Sequence, residues 1–509
     1  MTEVEYKQIS PADFFYRNRD IAGFSNPTRA IYASVRELVE NSLDACEAIR
    51  STPEIYIRVT FEDGAATDTG PTKCIISVYD NGSGVPHEEV PRCFGRVLFG
   101  SKYLLQQTRG TFGLGGTMAI LYAQITTNTP ARVVSSVGGA WISEYALYID
   151  IERNEPMVLE GYPKRHRNRS GWHGTIVEIR LSGDFYRAES KILEYLKRTA
   201  MVNPYATITL VDPKGRLYRF RRVTTRVPKP PFPTKPHPKG VDVEMLKRLV
   251  DLAVRDGCKS MVNFMTGYFQ RIGKKTATRF LKSVDIPLDL DPSKLSARDV
   301  ARMVDGFSTF DGFLSPKADC LSSLGKQLLS LGVRKELHPE ATWTFSRRPS
   351  TYSGHPFIAE GGLAYGGGLP PGISLYRYAN KIPLVYDEAS DATWKVVNEV
   401  INWNSYRVKQ DTPLAVITHI CSTKIPYKTV GKEFIADRPE IMREVEKGIR
   451  EVARSLRRHL HRKERIKRER ERMGIFMKYL QKIARFSTDL AEREKEPDIS
   501  PLLRKVMEG

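Results

Sequence analysis

Over the first 225 residues the spacing of apolar positions changes repeatedly between helical and extended periods. Ile31, Val35 and Leu38 recur at steps of four and three, the spacing of one helix face, and SNPT just before them supplies a start signal. A helix is predicted from about Thr28 to Arg50. Strands are predicted at IYIRVTF (55–61), CIISVYD (74–80), ISEYALYI (142–149), TIVEIRL (175–181) and ATITLVD (206–212), rich in β-branched and aromatic residues. Elements mixed in this order predict an α/β sandwich with helices on one face of a largely antiparallel sheet.

The pattern breaks at VPKPPFPTKPHPKG (227–240), where six prolines in fourteen residues predict a linker. Residues 241 to about 310 then read as short helices, a small all-helical module. From about 311 to 437 the order is mixed again, with a glycine-rich turn region, EGGLAYGGGLPPG (360–372), and strands such as SLYRYAN and PLAVITHIC. Residues 438–486 form one helical pattern. Its seam of Met442, Val445, Ile449, Val452 and Leu456 has a 3.5 period, that of a helix packed on another helix. The fold class expected is α+β multidomain: domain one over 1–228, a helical domain over 229–310, an α/β domain over 311–437, a stalk helix over 438–486 and a tail over 487–509.

Composition changes the picture through charge. Lys and Arg number 79 against 59 Asp and Glu, a formal charge of +20, which favours a polyanionic partner. Between Arg443 and Arg472 alone, 13 basic residues meet 6 Glu. Six isolated cysteines have no CxxC spacing, so neither a zinc ribbon nor a disulfide framework is expected. MTEVEYKQIS lacks a signal-peptide core and no apolar run approaches a bilayer span, so a cytoplasmic protein without membrane contact is expected.

The candidate chemistry lies in four ordered strings. ELVENSLDA puts Glu37, Glu40, Asn41 and Asp44 on one helix face with no basic partner among them. YDNGSGVP carries Asp80, Gly82 and Gly84 after a strand. RGTFGLGGTM (109–118) is a glycine-rich loop running into the helix pattern MAILYAQI, where backbone N–H groups and a helix N-terminus favour an anion. HGTIVE (173–178) follows on a strand. No G-K-S/T ends the loop, so it is not a Walker loop, and it lacks the spacing of a dinucleotide fingerprint.

In this order the strings resemble the Bergerat ATP-binding fold of the GHKL superfamily, shared by type II topoisomerase ATPase subunits, MutL, Hsp90 chaperones and histidine kinases. ELVENSLDA, FGSKY (99–103), the lid with AILYAQ, and ICSTKIPYKTVGKEFIAD (420–437) resemble the B subunits of topoisomerase VI over nearly the whole chain. The resemblance implies a Bergerat ATPase domain with an N-terminal strap (Glu3 to Arg17), a helix-two-turn-helix domain, and a transducer domain ending in the stalk helix. It implies ATP and Mg²⁺ as cofactors, with Glu37 as general base and Asn41 as metal ligand. Asp80 would read the adenine amino group, Gly82 and Gly84 would admit the ring, and Thr175 would support it. Ser101, Lys102 and the lid Gly110, Thr111, Phe112, Gly113, Leu114, Gly115, Gly116 and Thr117 would surround the phosphates. A transducer lysine would touch the γ-phosphate; Lys424 fits by position, with Lys428 and Lys432 close enough to be confused with it.

The same resemblance implies an ATP-dependent B–B homodimer that closes on double-stranded DNA, and a separate A subunit that cuts a second duplex in an A2B2 heterotetramer, nucleoid-associated in the cytoplasm. Lys214, Arg216 and Tyr218 in DPKGRLYRFRR, and Lys274 and Lys275 in RIGKKTATRF, are candidates for DNA contact. The pair Asp289 and Asp291 is read as a turn rather than a cleavage site, and Trp403 either as core or as part of a functional face with Tyr406. A MutL-like repair clamp is the alternative; it would lack the helical module between the ATPase and transducer domains.

Overall fold

The computed structural model describes residues 9–62, 70–99, 106–110, 114–386, 388–428, 432–495 and 497–502. The first sheet takes β1 (Glu54–Phe61), β2 (Thr72–Tyr79), β3 (Ala131–Val137), β4 (Trp141–Asp150), β5 (Glu155–Val158), β6 (Lys164–Arg167), β7 (His173–Gly183), β8 (Thr207–Val211) and β9 (Leu217–Phe220). Among the described residues its order is β5-β4-β3-β7-β2-β1-β8-β9, with β6 also on β4, and its pairs are antiparallel except β1 with β8. Around it run α1 (Pro11–Arg17), α2 (Pro27–Ala48), α3 (Val90–Gly95), α4 (Gly115–Thr127) and α5 (Phe185–Val202). Of the strap, residues 3–8 lie outside the described residues, while in α1 Phe15 is buried and Phe14 exposed.

Helix α2 is capped by Asn26, whose side chain accepts from the Arg29 N–H, and carries Pro27 in its first turn. Every residue from Ala30 to Glu40 is buried, between the sheet, α4 and α5. A helix enclosed on all sides has nowhere to put a charge except against a partner or into a cavity. That constraint governs the acidic residues discussed below.

The proline-rich segment is no free tether. The Phe232 N–H donates to Cys320 O at 3.3 Å, Gln270 N–H to Pro236 O at 3.1 Å, and His237 Nε2 lies 3.0 Å from Leu314 O. It leads into α6 (Val243–Arg255), α7 (Met261–Tyr268), α8 (Lys274–Ser283) and α9 (Ala297–Thr309), which share a separate core around Phe264, Phe269, Phe280 and Phe307. Asp291 accepts from the Ser293 N–H at 3.0 Å and lies 3.5 Å from Lys259, so the D-x-D pair belongs to a capped turn.

After α10 (Gly325–Leu337) come β10 (Ala341–Ser346), β11 (Ser350–Tyr352), β12 (His355–Tyr365), β13 (Ile373–Ala379), β14 (Ile382–Pro383), α11 (Ala392–Lys395) and β15 (Leu414–Ser422). The second sheet is ordered β10-β12-β15-β13-β14, with β11 on β12. Residues 360–365, expected within a glycine-rich turn, instead complete the buried strand β12. Gly361 and Gly362 are there because a Cβ would meet Ile417 O at 2.3 Å or Trp343 O at 2.6 Å; the turn begins only at Gly366 and Gly367, both with positive φ. Helix α12 (Pro439–Leu490) is one continuous rod of 52 residues, about 78 Å at 1.5 Å per residue. Its seam of Val445, Ile449, Val452 and Leu456 packs mainly on β12 and β10, with α11 and the turn after it at the margin. At Gly448 a Cβ would fall 2.2 Å from the Phe345 ring, so the sheet side chain fills the notch on the helix. Trp403 packs on this core too, its Nε1 donating to Val397 O at 2.8 Å.

Candidate active site

One cavity of about 650 Å³ opens between α2, the sheet and the start of α4, a volume in the range of small-molecule sites. At 100° per residue, Glu37, Asn41 and Asp44 lie within a narrow arc of α2 and all line it, while Glu40 turns away toward the interior. The acidic stripe expected from spacing is therefore split. It also has a basic partner: Arg36 Nη2 donates to Glu37 Oε1 at 2.6 Å, and Arg36 Nε sits 3.8 Å from Glu40. Neither Glu40 oxygen accepts a hydrogen bond; burial first, then the nearby Glu37 carboxylate, push its carboxyl well above the ordinary range.

At the sheet end, Asp80 is held by three donors: Gly82 N–H at 2.8 Å and Thr175 N–H at 3.2 Å to Oδ1, and Ser42 Oγ at 2.9 Å to Oδ2. Burial raises its pKa against the pull of these bonds. Thr175 lines the cavity and shares a 3.1 Å hydrogen bond with Ser135 Oγ. Gly84 also lines it, with φ +66; a Cβ there would lie 1.9 Å from Ser136 O, so the turn can close only on glycine. Gly82 does not line the cavity and acts through Asp80. Ser42, Cys93, Phe94 and Phe99, which carry no role in the sequence reading, also line the wall; Ser42 and Phe99 lie inside the strings ELVENSLDA and FGSKY, and no pattern marks Cys93 or Phe94.

Helix α4 starts at Gly115 without a side-chain cap, and Gly110, Leu114, Gly115, Gly116 and Thr117 line the cavity. Its N-terminal dipole thus meets the end of the cavity that holds Glu37 and Asn41, an environment suited to phosphate. Asn41 makes no hydrogen bond among the described residues, so its amide oxygen is open to a cation beside such an anion. Ser101, Lys102, Thr111, Phe112 and Gly113 lie outside the described residues.

Of the three transducer lysines, the cavity takes Lys432 and not Lys424. Lys432 is buried, lines the wall and donates through Nζ to Arg109 O at 2.8 Å. Lys424 is exposed and lies near His355, whose pKa falls through burial and then through this charge. Lys428 is exposed and pairs with Asp437 at 3.6 Å. Lys432 takes this place with a left-handed backbone, φ +57, while Lys424 and Lys428 face outward.

A protein-family profile described as "Histidine kinase-, DNA gyrase B-, and HSP90-like ATPase" matches residues 27–181, and one described as "Topoisomerase VI B subunit, transducer" matches 316–472. The B subunit of the type 2 DNA topoisomerase 6 of Sulfurisphaera tokodaii is 40% identical over 491 residues, covering 95% of this chain and 90% of its own. Its counterpart in Saccharolobus shibatae is 41% identical over 510 residues, covering 99% and 94%. This chain belongs to the topoisomerase VI B-subunit family. Among solved structures, the ATPase region of Saccharomyces cerevisiae topoisomerase II aligns with TM-score 0.41 and 11% identity over 90% of this chain and 98% of that one.

Within this topoisomerase VI B-type chain the DNA candidates separate by their surroundings. Arg216 is paired with Asp212 at 2.6 Å and Glu189 at 2.5 Å, so much of its charge is spent internally. Lys214 is exposed but stands 4.7 Å over the Tyr186 ring, and Tyr218 packs against the first core. Lys274 and Lys275 are exposed in the first turn of α8. Among the described residues no helix is long and apolar enough to cross a membrane.

Proposed function

We propose that this chain is the ATP-hydrolysing subunit of a type IIB topoisomerase, closing as a nucleotide-dependent homodimer on one DNA duplex while a partner A subunit cuts another. The observation that carries the reading is the cavity with a carboxylate and an open amide one helical turn apart on α2, the N-terminus of α4 beside them, and Asp80 at its other end. Glu37, braced by Arg36, takes the proton of the attacking water as general base. Asp80 accepts from the adenine amino group, with Thr175 beside it. Lys432 reaches the γ-phosphate as a point charge on a flexible stem, tying the transducer to the presence of intact ATP.

Mg²⁺ fits this donor set: a neutral amide adds a ligand without further repulsion beside a triphosphate, and the ion would neutralise the charge of the phosphates. The chain's excess of basic residues supports DNA backbone contact, with Lys214 and the exposed Lys274 and Lys275 the better-placed candidates. Support for a partner subunit comes from the far end of α12. Ile475, Tyr479, Ile483, Phe486 and Leu490 form one helix stripe, with exposure from 58% at Ile475 to 91% at Leu490.

The test combines two measurements. Relaxation of supercoiled plasmid is expected only with both ATP and the A subunit; ATP hydrolysis without relaxation in that mixture would favour the repair-type clamp. Glu37→Gln is expected to abolish turnover while leaving binding of a nonhydrolysable ATP analogue, and retained turnover would refute the general-base assignment.

A further inference from the structure

Residues 107–109, the segment that leads into the lid, are tied to the transducer at every position. Gln107 Oε1 accepts from the Ser322 N–H at 2.7 Å, and its Nε2 donates back to Ser322 O at 3.3 Å. Thr108 O accepts from Asn380 Nδ2 at 3.3 Å. Arg109 donates to Asp44 at 2.7 Å, to Asn203 at 2.8 Å and to Glu47 Oε1 at 2.5 Å. The other Glu47 oxygen accepts from Lys381 Nζ at 2.9 Å, across the boundary between the two sheets.

Lys381 is 2% exposed. It sits with Asn380 in the tight turn between β13 and β14, both with positive φ. Its remaining contacts fix it from the transducer side: Nζ donates to Ser322 Oγ at 2.8 Å and its N–H to His419 Nε2 at 3.0 Å. His419 Nδ1 in turn faces Glu360 Oε2 at 3.2 Å. Glu360 also accepts from the N–H groups of Leu324 and Gly325 and from Ser346 Oγ. This buried Glu360–His419–Cys421 group is saturated with internal hydrogen bonds, so it anchors the turn rather than holding a cation. Burial raises the Glu47 carboxyl, but Arg109 and then Lys381 outweigh it and hold the pKa at about 2.

We propose that the Asn380–Lys381 turn is a second link between transducer and lid, with Lys381 a positioning residue that sets the lid through Glu47 and Arg109. A buried lysine is tolerated only against its carboxylate, and breaking such a pair leaves an uncompensated charge. The contact is therefore made or lost as a unit when the two domains shift, and it acts on the segment at 107–110 that enters the lid rather than on the phosphate that Lys432 touches. The inference rests on the ATP site proposed above.

The test uses Lys381→Met, Glu47→Gln and the double variant of the full chain. Binding of a fluorescent ADP and of a nonhydrolysable ATP analogue is measured together with analogue-induced dimerisation. The double variant removes both charges of the Lys381–Glu47 pair and leaves Arg109 its Asp44 and Asn203 partners, so it carries the test if a single variant fails to fold. ADP affinity is expected to stay within about threefold of the unaltered chain, while the preference for the analogue and the dimerisation it induces fall about tenfold, within the usual range of coupling between sites. A double variant that prefers the analogue and dimerises like the unaltered chain overturns the link. An unaltered chain that binds neither nucleotide overturns the ATP site instead.

Discussion

Replacing Gly115 by alanine is expected to separate catalysis from stability. A Cβ at this position would lie 1.8 Å from Glu37 Oε2 and 2.6 Å from its Cδ. Ordinary contact begins near 3.4 Å, so the carboxylate must retreat by about 1.6 Å. It cannot simply slide along the helix, because Arg36 holds its other oxygen at 2.6 Å. The clash falls on the tip of a side chain rather than on backbone, and Gly115 has no positive φ, so the fold relaxes cheaply. Gly115 opens α4, so only part of the roughly 1 kcal/mol by which alanine favours a helix interior applies here.

A misplacement of about 1 Å in a reacting group can cost on the order of 100-fold in rate, or about 2.7 kcal/mol of activation free energy. Steady-state ATP turnover should therefore show kcat reduced about 100-fold, with melting temperature unchanged or raised. Gly116→Ala is the control: its Cβ would lie 3.0 Å from Asn41 Nδ2, a crowding relieved by a few tenths of an ångström, and a loss of less than about tenfold is expected. If Gly115→Ala turns over ATP within about threefold of the unaltered chain, Glu37 is not the group that matters at that place.

Lys432→Met should abolish the preference for an ATP analogue over ADP, whereas Lys424→Met should leave it within twofold; equal effects in nucleotide-binding titrations would refute the choice made by the cavity wall. Cys93 is half-buried in that wall, and burial raises its thiol pKa, so maleimide labelling should be slow and should be blocked by bound analogue. Cys258, half-buried in the helical module, serves as the unprotected control, and equal protection of both would place nucleotide elsewhere. Replacing Tyr479, Ile483 and Phe486 by serine should leave ATP turnover of the isolated chain unchanged and weaken co-purification of the A subunit at least tenfold; undiminished co-purification would remove α12 from that interface.

The parts of this molecule that could be read along the chain are those set by local period or by glycine chemistry. Helix α2 and five strands announced themselves through apolar spacing, and the glycines near Asp80 and in the lid mark places where backbone must come close to something. What could not be read is which of several equivalent residues the tertiary path selects. Three lysines within nine residues are indistinguishable by spacing; only the folded chain shows that Lys432, and neither of the other two, lines the cavity. The seam of α12 declared an apolar side but not its partner, since a sheet accepts the same stripe as a second helix.

Glu40 and Glu47 mark the deeper limit of such reading. Spacing grouped Glu40 with Glu37 and Asn41, yet it faces Arg36 in the interior with its oxygens otherwise unpaired. Glu47, in no motif, holds two cations drawn from positions 62 and 334 residues away. A buried carboxylate is tolerable only because those distant groups arrive together, and no local pattern records their arrival. The longer of the two pairs, Glu47 with Lys381, is also the one that crosses from the first domain to the transducer. Contact between the two domains is therefore made by residues whose spacing says least, while the proposed nucleotide site is lined by those whose spacing says most.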